Sequence, residues 1–370
     1  MTEQHYDAII VGSGAGGAAT AFNLVRAGKR ALVLERGDRL PRDGSTHDVK
    51  QVLKVGRFKN HDFWVDNHNR IFIPDEHYNV GGKTKWYGAA LLRFSPDEFE
   101  ADPAHQCLAW PFGYDELKPY YDQAEELLRI NRFDNEPELQ ALIDRIAGGQ
   151  SGWRAEPLPL GLKREVLQDE NEAKHFDGFA SACAYKSDAE WNLLAHIEDQ
   201  PNCALMTNKQ VAGLLHAEGA PREITGVVCT DGSTYRGSIL ILAAGAMTSP
   251  RLLQDHLERT GLERTLPSAA MIGANFGDAR TTRVLHTYWA SKVRPSRHSR
   301  CVWERRMSSS FNSVIEAGSS PPIAVARICG FSTSQSSSAT WIGRSAFCSR
   351  SASPQYRLAG RRRFRLRMAR

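Results

Sequence analysis

A short apolar run, Tyr6 to Val11, leads straight into Gly12-Ser13-Gly14-Ala15-Gly16-Gly17, and this junction constrains the fold more than any other feature. The run reads as a buried parallel strand. Residues 18–27 then form a helix, with Phe22, Leu24 and Val25 among its core candidates. Gly28 suits the turn that ends it, where the backbone must go left-handed. Residues 30–34 form a second strand, and Glu35 stands at its end, 23 residues after Gly12. Each part has a physical task. Gly12 permits the tight turn, Gly14 lets a diphosphate approach the backbone, and Gly17 lets helix and strand pack closely. The amide of Ala15 and its neighbours at the helix N-terminus face the phosphates with free N–H groups and the positive dipole end. Glu35 can accept hydrogen bonds from an adenosine ribose. A bare glycine-rich turn is the plain alternative, but strand, glycines, helix, second strand and acid all fall in the order of a dinucleotide site.

The chain has 370 residues, enough for about two or three domains and a core that needs no disulfide or metal staple. Hydrophobic residues make up 41% and charged residues 24%, which argues against wholesale disorder. No apolar run approaches the ~18 residues of a spanning helix, so we expect no membrane span. The start of the chain, MTEQHYDAIIVG, lacks the basic and apolar regions of a signal peptide, so the expected compartment is the cytoplasm. Seven cysteines show no C-x-x-C spacing and read as reduced packing residues. His61, His68, His77 and His105 have no ligand spacing and read as solvated or capping residues, with no metal site. One glycine fingerprint implies one dinucleotide, and no C-x-x-x-x-C suggests a disulfide reductase. The fingerprint at the extreme N-terminus, with Glu35-Arg36-Gly37 after the second strand, leans toward FAD.

Two further motifs narrow the reading. Residues 78–94 read YNVGGKTKWYGAALLRF. Gly81-Gly82 can bring backbone amides against a ligand, Thr84 offers a hydroxyl, and Trp86 and Tyr87 offer flat surfaces. An ordinary glycine turn before a half-buried helix would read the same way. Residues 238–244 form a buried strand that runs into Gly245-Ala246-Met247-Thr248-Ser249-Pro250. Ser249 before Pro250 predicts a helix start at that point.

These three motifs in order resemble the glucose–methanol–choline (GMC) oxidoreductases, nearest to their bacterial and pyranose-oxidase-like branch. The fingerprint matches Gly12 to Gly17 with Glu35; the flavin loop matches Gly81-Gly82 with Arg93; the second signature matches Gly245 to Leu253. The resemblance covers residues 6 to about 278 and implies an α/β, FAD-binding Rossmann-like fold with an interleaved α+β substrate domain, its C-terminal part missing. It implies an FAD enzyme that takes a hydride from a CH–OH group of an alcohol, polyol or sugar, with its electron acceptor open. It implies that Val211 matches the valine that faces the adenine. The implied cofactor residues are Gly12, Gly14, Ala15, Gly17, Glu35, Arg36, Gly81, Gly82, Thr84, Tyr87, Val211, Ala244 and Gly245. The family often has Asn at Tyr87, and the pyranose-oxidase-like branch has a flavin-linked His at Trp86, so FAD is expected to be held noncovalently. His256-Leu257 replaces the family's usual Ser-Gly.

After Asp278 the resemblance stops, and no counterpart of the family's catalytic His follows. Residues 1–280 hold 30 Lys+Arg against 40 Asp+Glu, whereas residues 281–370 hold 17 against 2. This Arg- and Ser-rich tail fits translation of a GC-rich gene in a shifted frame, a solvated disordered segment, or a polyanion-binding arm. We expect the first two, and no specific nucleic-acid partner. A flavin-binding remnant without turnover is the alternative to an active enzyme.

The expected organisation is a first FAD-domain part over 1–110, a helical and irregular substrate-side segment over 111–200, a second FAD-domain part over 201–280, and the tail over 281–370. Within these, helices are expected over 115–130, 137–147 and 187–197, with 150–186 irregular. Strands are expected near 203–207, 211–217, 224–230 and 238–244, and RIFIP at 70–74 is a further strand candidate before the flavin loop.

Overall fold

The computed structural model of the chain describes residues 5–65, 69–103, 108–149, 156–273 and 367–368. Its strands are β1 (His5–Val11), β2 (Ala31–Leu34), β3 (Trp64–Val65), β4 (Ile71–Phe72), β5 (Cys203–Met206), β6 (Val211–Ala217), β7 (Ala220–Cys229), β8 (Thr234–Leu242) and β9 (Arg367–Met368). Its helices are α1 (Ala15–Arg26), α2 (Tyr114–Leu127), α3 (Pro137–Gly149), α4 (Glu170–Lys174), α5 (Ala189–Asn192) and α6 (Gly245–Thr260).

A six-stranded sheet in the order β5-β2-β1-β8-β7-β6 organises the larger of two units. β5, β2, β1 and β8 run parallel, and β6, β7 and β8 form an antiparallel meander. The residue patterns explain this. β2 is buried at every position, as a strand covered on both faces must be. Gly219, at φ +71°, turns β6 into β7. Alternate residues of the parallel strands feed two cores. Ile10, Ala31 and Val33 pack beneath Ala18, Phe22 and Val25 of α1. Ile9, Val11, Leu32 and Leu34 pack with Leu214, Val227 and Leu252 on the other face. Each fully buried Ile or Leu contributes about 1.5–3 kcal/mol.

Because β1, β2 and β8 are parallel and in register, their carboxyl ends lie side by side, with Val11 paired to both Leu34 and Leu242. The peptide ladder continues past the strands: Gly12 N–H donates to Leu34 O at 2.9 Å and Ala243 N–H to Val11 O at 2.8 Å. The fingerprint, Glu35 and the segment after β8 are therefore neighbours by topology. This is the place where open α/β sheets bind ligands.

Three local expectations change. The helix after β8 begins at Gly245, four residues before Ser249. Gly245 sits at φ +82°, and the Ser249 hydroxyl reaches back to accept the Ala244 N–H at 2.9 Å. The Ser-Pro pair thus acts one turn inside the helix, and Pro250 lies within it. The 187–197 helix is split into α5 and a 3₁₀ turn, Leu194–His196, because Leu193 leaves helical geometry at φ −126° and ψ −63°. The described residues 156–186 are less irregular than expected, with a 3₁₀ turn at Arg164–Gln168 and α4 beginning at Glu170 under an Asp169 cap.

The second unit contributes α3, with Pro137 at its first turn and an Asn135–Gln140–Asp144 side-chain ladder along one side. A small sheet in the order β4-β3-β9 stands apart from the main one, and β9 holds the described residues of 281–370. The readings made for the rest of that tail lie outside the described residues, as do His68 and His105.

Candidate dinucleotide site

The three fingerprint glycines meet three different surroundings. Gly12 has φ +101°, and a Cβ placed on it would lie 2.5 Å from Ala243 O. A Cβ on Gly17 would lie 1.9 Å from Gly12 O, so this glycine lets α1 sit on the strand end. A Cβ on Gly14 would meet nothing within 4 Å. Gly14 is the N-cap of α1 at φ −67°, with no side-chain cap and no acid in the first turn. The first intrahelical bond here runs from Ala18 N–H to Gly14 O, so the amides of Ala15, Gly16 and Gly17 precede the ladder. Ala15 and Gly16 are exposed. Uncapped amides, the dipole end and an open approach together make an anion cradle.

The flavin-loop segment lies against this cradle. Gly81 and Gly82 adopt φ +85° and +53°, and a Cβ on Gly82 would lie 3.3 Å from Gly14 Cα. Ser13 joins the two. Its hydroxyl accepts the Gly81 N–H at 3.1 Å and donates to Glu35 Oε2 at 2.6 Å, while its own N–H donates to the same oxygen at 3.0 Å. Gly37 N–H donates to Glu35 Oε1 at 3.0 Å. Glu35 is thus fixed at the end of β2, 6% exposed, with further lone pairs for a ribose hydroxyl.

The other sequence-predicted residues divide. Ala244 and Gly245 border the cradle, since a Cβ on Gly12 would come within 3.0 Å of Ala244 Cα. Val211 opens β6 and packs its side chain into the core with Val11 and Leu34. Its stretch is tied to the end of β2, where Lys209 N–H donates to Glu35 O at 2.8 Å. Thr84 works within the loop: its hydroxyl donates to Gly81 O at 2.6 Å and accepts the Ala189 N–H at 3.0 Å. Arg36 is turned elsewhere, bound to Asp62 at 2.7 Å and lying 3.9 Å over the Tyr78 ring. Tyr87 donates its hydroxyl to Ser187 O at 2.7 Å, and burial, followed by the Asp188 charge, pushes its phenol above its ordinary range. Arg93 anchors the far end of the loop to α2 through Glu125 and Asp122, both at 2.7 Å.

Several side chains whose partners lie far away in the sequence support the loop. Lys85 is 3% exposed and binds Asp188 at 2.9 Å and Glu190 at 2.6 Å. Burial raises the Asp188 carboxyl, and Lys85 pulls it back. Lys186 is fully enclosed and donates to Tyr87 O, Phe176 O and Phe179 O at 2.8, 2.7 and 2.5 Å. Its burial pushes its pKa down to about 7. His77 was expected to be solvated or capping; instead it stacks on Trp86 with ring centroids 4.5 Å apart, and its Nδ1 pairs with Phe58 O at 2.8 Å. Burial pushes it down to about 4, so the ring is neutral at ordinary pH. Trp86 is fixed from its other side by donating Nε1–H to Asn79 Oδ1 at 3.0 Å.

A doubly layered sheet with an open glycine cradle at its carboxyl edge defines a dinucleotide-binding α/β protein. The chain belongs to the FAD dependent oxidoreductase family, whose match runs over residues 7–273. It is 28% identical over 280 residues to paromamine 6'-oxidase of Streptomyces fradiae, covering 67% of this chain and 49% of that protein. It is 28% identical over 303 residues to an uncharacterised GMC-type oxidoreductase of Mycobacterium tuberculosis, covering 74% of this chain and 43% of that protein. The crystal structure of pyridoxine 4-oxidase from Mesorbium loti superposes with a TM-score of 0.49 at 18% identity, covering 68% of this chain and 51% of that one. The chain spans about half the length of the curated relatives it matches. The GMC-type name of the Mycobacterium tuberculosis relative agrees with the resemblance carried by the three motifs. Among the described residues, no helix is long and apolar enough to cross a membrane.

Proposed function

We propose that the chain holds FAD noncovalently and oxidises a CH–OH group of an alcohol, polyol or sugar. The observation that carries this reading is the open approach at Gly14, under uncapped α1 amides and beside Gly82. When bound, the flavin supplies the hydride acceptor. The residues of this chain do the holding. The amides of Ala15, Gly16 and Gly17 would bind the diphosphate, and Glu35 would orient the ribose. Gly81, Gly82, Ala244 and Gly245 would line the path toward the ring, and the start of β6 at Val211 would border the adenine. The paromamine 6'-oxidase relative, by its name, acts on an aminosugar, which supports a sugar-like donor. Trp86 supports noncovalent binding, because its indole offers no imidazole nitrogen for a link to the ring. In this reading, residues 1–110 and 201–280 form the FAD-binding domain, 111–200 its substrate side, and 281–370 the tail. The free Cys183, Cys203 and Cys229 support a reducing, cytoplasmic setting.

A second reading rests on the compositional break after residue 280 and the loss of family motifs there: the chain keeps the flavin without turning over substrate. Purified protein separates the two. Bleaching of the bound flavin on anaerobic addition of primary alcohols, diols or aldoses supports the enzyme. A flavin that stays oxidised with every donor supports the second reading.

A further inference from the structure

Beneath the Gly81-Gly82 turn lies a buried group of charges that the reading above does not use. Lys85 sends its side chain under Gly81, so that a Cβ on Gly81 would lie 3.2 Å from Lys85 Cε. Its Nζ reaches Asp188 and Glu190 of the α5 segment, whose side chains are 1% and 5% exposed. Glu190 is shared with Arg39 at 2.5 Å, and Arg39 also binds Glu198. The two cations and three carboxylates leave one negative charge in excess. α5 is clipped to the loop from below, through Ala189 N–H on Thr84. From above, the loop is clipped to the fingerprint through Gly81 N–H on Ser13. The loop is therefore the layer between two buried carboxylates and the anion cradle.

Putting carboxylates there is unfavourable for a ligand with a diphosphate. A charge in a low-dielectric interior acts over several ångströms with little screening. It also leaves the carboxylates themselves costly to bury unless a cation pairs with them. The ammonium of Lys85 answers both needs.

We infer that Lys85 is a positioning residue for the dinucleotide: it holds Gly81-Gly82 against Gly14 and cancels the charge of Asp188 and Glu190 that would otherwise repel the diphosphate. The inference rests on the FAD reading and names a residue outside its glycines. It places the sensitivity of binding in charge, not in shape. Replacing Lys85 with methionine raises the local excess to two negative charges. Removing Glu190's charge as well returns the excess to one.

The test measures FAD and ADP affinity by calorimetry on apo-protein for wild type, Lys85→Met, Glu190→Gln and the double variant, with melting temperatures of each apo form. Lys85→Met is expected to weaken both FAD and ADP by about tenfold or more at pH 8 and low salt. The loss is expected to shrink as pH is lowered, because burial raises the Asp188 carboxyl and Lys85→Met removes the charge that pulls it back. The other groups facing this pair are Arg39 (which also carries Glu198), Lys186 and the Tyr87 phenol. The double variant is expected to bind within about threefold of wild type. Equal affinity of Lys85→Met and wild type overturns the inference. So does a loss that neither lower pH nor Glu190→Gln reverses, since that is the signature of a merely structural lysine. If Lys85→Met does not fold, the double variant decides alone: a loss above about tenfold overturns the inference. A wild type that binds ADP but not FAD refutes the FAD reading and leaves the charge comparison to ADP; one that binds neither overturns both.

Discussion

Alanine at Gly14 separates binding from folding, because the position is tight only for a ligand. The backbone there, at φ −67°, is open to any residue, and the new methyl would meet no protein atom within 4 Å. The folding cost is that of alanine at an N-cap, about 0.5–1 kcal/mol. In a unit of this size that lowers the melting temperature by about 1–4 °C. The binding cost is larger. The methyl would fill open space beside the uncapped α1 amides, so a diphosphate bound there must sit back from them. Losing one or two charge-assisted hydrogen bonds costs about 2–4 kcal/mol, or about 30- to 1000-fold in FAD affinity. Gly17→Ala is the opposite case. Its methyl would fall 1.9 Å from Gly12 O, so the strand–helix crossing must open, and overpacking of this kind costs about 1–3 kcal/mol or more. Calorimetric titration of apo-protein with FAD, paired with thermal melts, reads both quantities. If Gly14→Ala binds FAD like wild type, or if it melts as low as Gly17→Ala, the cradle is not where the phosphates sit.

Two other predictions concern buried bases around the flavin loop. His77 is held neutral down to about pH 4, whereas an unfolded histidine takes a proton near 6.5. The unfolded state therefore binds more protons between these values, and stability falls as pH drops through that window by about 3 kcal/mol. Urea titrations of wild type and His77→Gln between pH 7 and 4 check this; an unchanged slope in the variant counts against it. Lys186→Met leaves three buried carbonyl groups without their shared donor, at about 3 kcal/mol or more in unfolding free energy. A denaturant midpoint within experimental error of wild type would show that the ammonium is dispensable.

The nucleotide half of the fold is legible because its signals are local. A strand, three glycines and a helix lie within 22 residues, from His5 to Arg26, and each glycine's task follows from where a Cβ would point. The parallel register that brings Glu35 and Ala244 to them follows from buried apolar runs alone. What the sequence does not show is pairing across distance. Lys85 meets Asp188 across 103 positions, and Lys186 reaches Tyr87 across 99. A lysine in a loop reads as a solvated charge until the carboxylate that buries it is found. His77 likewise looks like any polar loop residue, and only Trp86 stacking on it reveals that it is buried. Ser13 could have been noticed, since its hydroxyl sits between two glycines of the fingerprint, next to the acid at the end of β2. The early start of α6 was hidden by a Ser-Pro pair whose hydroxyl caps from inside the helix.

Titrating purified, flavin-stripped protein with FAD, while recording heat release and the visible flavin spectrum together, bears most directly on the site at the carboxyl edge of the sheet. Saturable binding of one FAD per chain, released as intact FAD on denaturation, is the expected result. No heat, no spectral change and no retained flavin in folded protein would contradict it.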